Sequence, residues 1–172
     1  MSKIEFLKDQ IIESRNFVNR LISEIPEDHW YIIPEHTDSN FAWQIGHVMM
    51  SQNFHAITVI TGSHEKVNAL IPVAQYNKLF NGMGTLHRSV EKDFVPTAKL
   101  KEQLDAVHEI CINNLSRLTD DTLENPLESI PFKHPIAKTK YEALSWCFKH
   151  EMWHSAEMEV IKRALGFPIK WR

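Results

Sequence analysis

The sequence predicts an all-α protein: a four-helix bundle with a long crossover between its second and third main helices. Three observations carry this. Apolar residues recur three or four positions apart in four long stretches, the period of an amphipathic helix. No stretch shows the sustained period-two alternation of a half-buried strand. All eight prolines fall outside the periodic stretches. With 172 residues, 43% of them hydrophobic and 24% charged, the chain has the size and composition to bury its own core as a single domain over residues 1–172.

Ile4, Leu7, Ile11, Val18, Leu21 and Ile25 mark one face of a first helix that ends before Pro26. The cluster Asp38-Ser39-Asn40 offers N-caps for a second run from about Phe41 to Thr61, which Gly62 closes. Residues 63–96 carry Pro72, Gly82, Gly84 and Pro96 and read as the crossover, with one short helix around Gln75 to Phe80. Leu100, Leu104, Val107, Cys111, Leu115 and Leu118 define a third helix, capped by Thr97. Pro126, Pro131 and Pro135 break the next loop, and the last helix runs from about Lys140 to Leu165, stopping at Gly166 with Pro168 beyond.

Charge narrows the classes of partner. Nineteen Lys and Arg stand against 22 Asp and Glu, a formal net charge of −3, and no basic run suggests tracking of nucleic acid or of an anionic membrane surface. The first twenty residues lack the apolar core of a signal peptide and no stretch is long and apolar enough to span a bilayer, so the expectation is a soluble, cytoplasmic protein. Cys111 and Cys147 form no Cys-x-x-Cys pair and read as small core residues.

The skewed number is ten histidines. Stepping ~100° per residue from His150 puts His154 near ~40°, Ile161 near ~20° and Cys147 near ~60° on the last helix. Both imidazoles fall in the apolar stripe, with Lys149, Glu159, Lys162 and Arg163 outside it. On the second helix, His47 shares a face with Trp43, Met50, Phe54 and Ile57. Imidazoles four apart can both donate to one ion, and a third from a facing helix leaves positions free for water or substrate. Three histidines on two apolar faces are hard to explain as packing, since each would need its own polar partner. His47, His150 and His154 are therefore the candidate ligands of one divalent metal ion. Glu157, near ~−20°, is a further ligand or an acceptor that orients one. His108, on the apolar side of the third helix, is a fourth ligand, a partner of one, or core. His55 projects to the edge of the inner face of the second helix, where it lines a substrate cleft or, as the favoured reading, is solvated, and His29, His36, His64, His87 and His134 read as surface residues of connectors.

His150-Glu151-Met152-Trp153-His154 also matches the His-Glu-x-x-His pattern of zinc peptidases, whose Glu is the general base. The peptidase reading is set aside because no further histidine follows at metzincin spacing, no strand is evident to hold a peptide, and Glu151 projects near ~100°, at the rim of the stripe.

Trp43-Gln44-Ile45-Gly46-His47 on an early helix, paired with the two histidines of the last, resembles the DinB-like superfamily of four-helix metalloproteins, with its Trp-x-x-Gly-His and His-x-x-x-His-x-Gly-Gln segments. The sequence departs from the pattern where Ser155-Ala156-Glu157 stands for x-Gly-Gln, a carboxylate in place of an amide. The resemblance implies a nickel or zinc site on His47, His150 and His154, a homodimer, and a kinship with thiol transferases that use low-molecular-weight thiols such as bacillithiol or mycothiol. The expected function is thus a metal-dependent enzyme of thiol S-transferase or hydrolase type acting on a small molecule, against a non-catalytic, metal-stabilised bundle with a stress-response or sensing role. A second apolar strip on helix two, Ile45, Met49, Ala56 and Ile60, would face the first helix or a partner subunit.

Overall fold

The computed structural model describes residues 1–81, 88–91, 94–131 and 134–168. Its long helices begin on the caps their sequences offer. Helix α1, Lys3–Glu24, starts on a capping box in which the Ser2 hydroxyl accepts from the Glu5 amide and the Glu5 carboxylate accepts from Ser2 N. It stops at Ile25, which takes an extended backbone as Pro26 requires of its predecessor. Helix α2, Phe41–Gln52, is capped by Asn40, whose side-chain oxygen accepts from Trp43 N at 2.9 Å. It then widens into a π-helical turn, Asn53–Thr58, and closes with Val59–Thr61 before Gly62 at φ +86°.

The crossover holds two short helices, α3 (Glu65–Leu70) and α4 (Val73–Leu79), rather than the one the sequence suggests. The positions of Gly82, Gly84 and His87 lie outside the described residues. Helix α5, Thr97–Leu115, follows Pro96. Thr97 is its first helical residue and not its cap, because its hydroxyl is drawn to the Glu27 carboxylate at 2.6 Å. A short α6, Asp120–Leu123, precedes α7, Lys140–Ala164, which opens on a Thr139/Glu142 capping box. Among the described residues there is no strand, and no helix is long and apolar enough to cross a membrane.

Helix α1 lies along α7, and α2 packs against both α5 and α7. The strip Ile45, Met49, Ala56 and Ile60 is fully buried within the single chain, so it offers no surface to a partner. The buried side of α7 is wider than its apolar stripe. Ala143, Leu144, Cys147, Glu151, His154, Ser155, Met158, Ile161 and Lys162 are buried, an arc from ~20° to ~140° on the scale that sets His150 at zero. Glu151 and Lys162, expected at the rim or outside, are only 2% and 1% exposed. The cause is α1, which covers that flank and supplies each charge with a partner: Arg15 for Glu151, and Glu24 for Lys162. His150 and Glu157 consequently sit at the edge of the buried arc and are half-buried, while Trp153 is 59% exposed.

The Arg15 guanidinium touches every other long helix. Nε donates to Glu151 Oε1 of α7 at 2.6 Å, Nη1 to the Leu104 carbonyl of α5 at 3.0 Å, and Nη2 to Gln52 Oε1 of α2 at 3.0 Å. Gln52 Nε2 in turn donates to His108 Nδ1 at 3.0 Å, so His108 belongs to this network. Removing one partner of a buried ion pair leaves an uncompensated charge, whereas replacing both by apolar groups does not. Arg15→Met should therefore cost about 3–5 kcal/mol in urea unfolding, and the Arg15→Met/Glu151→Leu double variant should be more stable than Arg15→Met alone. Additive losses would show that the pair is not coupled.

Candidate metal centre

Asn40 fixes where the site begins. Its side-chain nitrogen donates to the Val90 carbonyl at 2.8 Å, and the neighbouring backbone pairs with the crossover through Asn40 N to Arg88 O and Arg88 N to Asp38 O. From there α2 carries Trp43, Gln44 and His47 inward, opposite His150 and His154 of α7. Gly46 lets the Phe80 ring lie against the helix: a Cβ at residue 46 would fall 2.3 Å from two of its ring carbons.

The three predicted histidines come together. His150 Nε2 lies 3.4 Å from His47 Nε2 and 3.2 Å from His154 Nε2, and the three donor nitrogens are mutually within 4.8 Å. The outer nitrogens decide what the inner ones carry. His47 Nδ1 lies 2.6 Å from the Phe80 carbonyl, which only accepts, so Nδ1 holds the proton and Nε2 of the neutral ring holds a lone pair. His154 Nδ1 lies 2.7 Å from Gln44 Oε1 and 3.2 Å from Glu157 Oε2, both acceptors, with the same result. His150 Nδ1 is buried and has no hydrogen-bond partner among the described residues.

Two inward lone pairs therefore face a third imidazole. One proton on His150 Nε2 could satisfy only one of them. A divalent ion would satisfy all three, and the two spacings about His150 suit it: nitrogens at 2.0–2.1 Å around a tetrahedral centre are about 3.3–3.4 Å apart. The rings are ready for such a ligand. Burial, with the nearby His154, holds His47 down at about 4, and burial with His154, His47 and His55 holds His150 at about 2, so both are neutral near pH 7.

Glu157 takes the outer position. Its Oε2 accepts from Gln44 Nε2 at 2.9 Å, and Arg88 Nη1 donates to both carboxylate oxygens at 3.1 and 3.0 Å. Burial alone would raise this carboxyl, but the bonds from His154, Gln44 and Arg88 outweigh it and hold it at about 2. The charge that the carboxylate brings is thus balanced by Arg88. Glu151 faces α1 and not the three histidines, and His108 pairs with Gln52.

Sequence reasoning missed Gln44, Arg88 and the Phe80 carbonyl. Gln44 had a signal, as the one polar side chain besides His47 in the run Phe41 to Met50. Arg88 had none, being delivered by a connector. His55 and His134, expected in solvent, are buried.

An all-helical bundle with three converging imidazoles is compatible with a metal-dependent helical protein. The sequence model of the DinB superfamily matches residues 10–158, and the chain belongs to that superfamily. No curated relative matches the chain.

Gly46→Ala must displace the Phe80 ring, and with it the carbonyl that holds His47 Nδ1. We expect a stability loss of about 1–3 kcal/mol and a metal affinity about 10–100-fold weaker in a chelator competition. Unchanged metal affinity would detach Phe80 from the site. The depressed imidazoles also set a pH dependence. Between the ordinary value of 6.5 and about 4, the unfolded chain takes up protons that His47 and His150 refuse when folded. In the presence of chelator the urea midpoint should be highest above pH 6.5 and fall as the pH drops toward 4; a flat profile would contradict the neutral assignment.

Proposed function

We propose that the protein is a metal-dependent enzyme of thiol S-transferase or hydrolase type, with His47, His150 and His154 as ligands of one zinc or nickel ion and a small molecule as substrate. The observation that carries this reading is the pair of inward lone pairs, on His47 and His154, set 3.4 and 3.2 Å from His150 Nε2. A divalent ion held by three neutral imidazoles keeps its full charge and would lower the pKa of a thiol or water taking an open position.

The chain's own residues prepare that site. Trp43 stacks on the His47 ring at 4.7 Å and 9°, fixing its plane. Glu157 accepts from His154 Nδ1, which orients the ring and raises the basicity of its inner nitrogen. Arg88 cancels the carboxylate's charge, so the three histidines are not left beside an uncompensated anion. The half-buried positions of His47 and His150 put the centre at the edge of the bundle, where a small molecule can reach it.

The origin of the ligands on two helices favours a second reading, in which an ion only ties α2 to α7 and the protein is a metal-stabilised stress-response or sensing bundle. Gln44 already joins those helices through His154 and Glu157, which makes a purely structural ion redundant. Elemental analysis of protein purified without added metal, beside a His47→Ala variant, tests the metal. Near-stoichiometric zinc or nickel lost on substitution supports it; less than about a tenth of an equivalent, unchanged by substitution and not restored by added metal, sinks it. Cooperative unfolding on chelation would favour the structural ion, and a folded metal-free protein that has lost thiol-conjugating or hydrolytic turnover supports the enzyme.

A further inference from the structure

Beside the three-histidine cluster lies a second pair of histidines. His55 Nδ1 and His134 Nε2 are 2.9 Å apart, both side chains are buried, and the His55 ring stands edge-on to His150 at 5.8 Å between centroids. Phe54 holds the pair, stacked on His134 at 5.3 Å and 2° and edge-on to His55 at 5.0 Å.

Backbone amides fix the protons. His134 Nδ1 accepts from Ala137 N at 2.8 Å and from Ile136 N at 3.2 Å. A nitrogen that accepts amide hydrogens carries none, so the proton of neutral His134 is on Nε2 and is donated to His55 Nδ1. His55 Nδ1 is then the acceptor, and His55 carries its own proton on Nε2. In that tautomer Nε2 has no lone pair for a metal; it can only donate a hydrogen bond.

The π-turn explains why His55 is there. An uninterrupted α-helix would place it ~80° from His47, eight residues on, at the edge of the inner face. Each residue of the wide turn Asn53–Thr58 advances by less than an α-helical residue, which rotates His55 back toward the bearing of His47. Such turns recur at functional sites because they re-aim a side chain without breaking the helix.

We propose that His55 is a substrate-binding donor whose Nε2–H hydrogen-bonds an anionic atom, thiolate or oxyanion, held beside His150, and that His134 is the positioning residue that fixes its tautomer. This rests on the metal-centre reading: the anion is the one that the ion would draw to its open side. Oriented N–H donors aimed at a developing or bound anion are worth most in a site from which water is largely excluded.

Two measurements test it. In metal-free wild-type protein, long-range proton–nitrogen correlation spectra should show both His55 and His134 protonated on Nε2; a proton on His55 Nδ1 overturns the proposal. Cobalt(II)-loaded protein is then titrated with azide and followed by visible absorption, with cobalt content measured alongside. His55→Phe should keep its full cobalt yet bind azide about tenfold or more weakly, as expected for losing a bond to a charged group. His55→Gln, which retains an N–H donor, should recover part of the loss. Full cobalt with unchanged azide affinity overturns this proposal and leaves the metal centre standing. Loss of cobalt in His55→Phe makes His55 a ligand and overturns it also. Absence of cobalt uptake by the wild type overturns the metal centre and this proposal together.

Discussion

The Arg15 guanidinium decides how the four long helices stand against one another. Apolar contacts are non-directional and would tolerate small slides between helices. A buried guanidinium does not, because each donor must meet an acceptor at bonding distance. Arg15 reaches a carboxylate on α7, a carbonyl on α5 and an amide on α2, so one charge on α1 sets the height of the other three. Glu151 is adjacent to His150, and Gln52 stands five residues beyond His47. The register that brings the three imidazoles together is therefore imposed from behind them, by a network that needs no ion.

Around the histidines the polar groups are arranged by charge as much as by shape. A backbone carbonyl from Phe80 orients one ring, and an amide with a carboxylate orients another. Arg88 balances the carboxylate from a connector tied to the cap of α2. Where the pattern that the sequence resembles ends in an amide, Glu157 supplies a carboxylate with its own counter-charge, and the two inner nitrogens still present lone pairs. His150, whose outer nitrogen has no partner among the described residues, is the ring with least restraint and lies nearest the second histidine pair.

Much of this was legible in the sequence. Periodicity and caps located the four long helices, because local propensity and burial agree there, and helical spacing picked out His47, His150 and His154. What stayed hidden depended on contacts distant in sequence. Projection sees one helix alone and puts Glu151 and Lys162 at or beyond the rim of its stripe, although α1 covers that flank and brings Arg15 and Glu24 to them. A uniform step of ~100° cannot anticipate a π-turn and so leaves His55 at the edge. His134 and Arg88 sit in connectors, where no periodicity exists to report burial.

The string His150-Glu151-Met152-Trp153-His154 answers two separate demands. Residues four apart share a face, while the one next to the first turns ~100° away, so the histidines serve one cluster and the glutamate serves Arg15. A peptidase-like signature arises in this way wherever an interior ion pair adjoins a histidine-bearing face on one helix. Alanine scanning of these five positions, read by activity alone, would crown Glu151 a general base when the lesion is in folding yield. A soluble-protein assay beside each activity measurement separates the two.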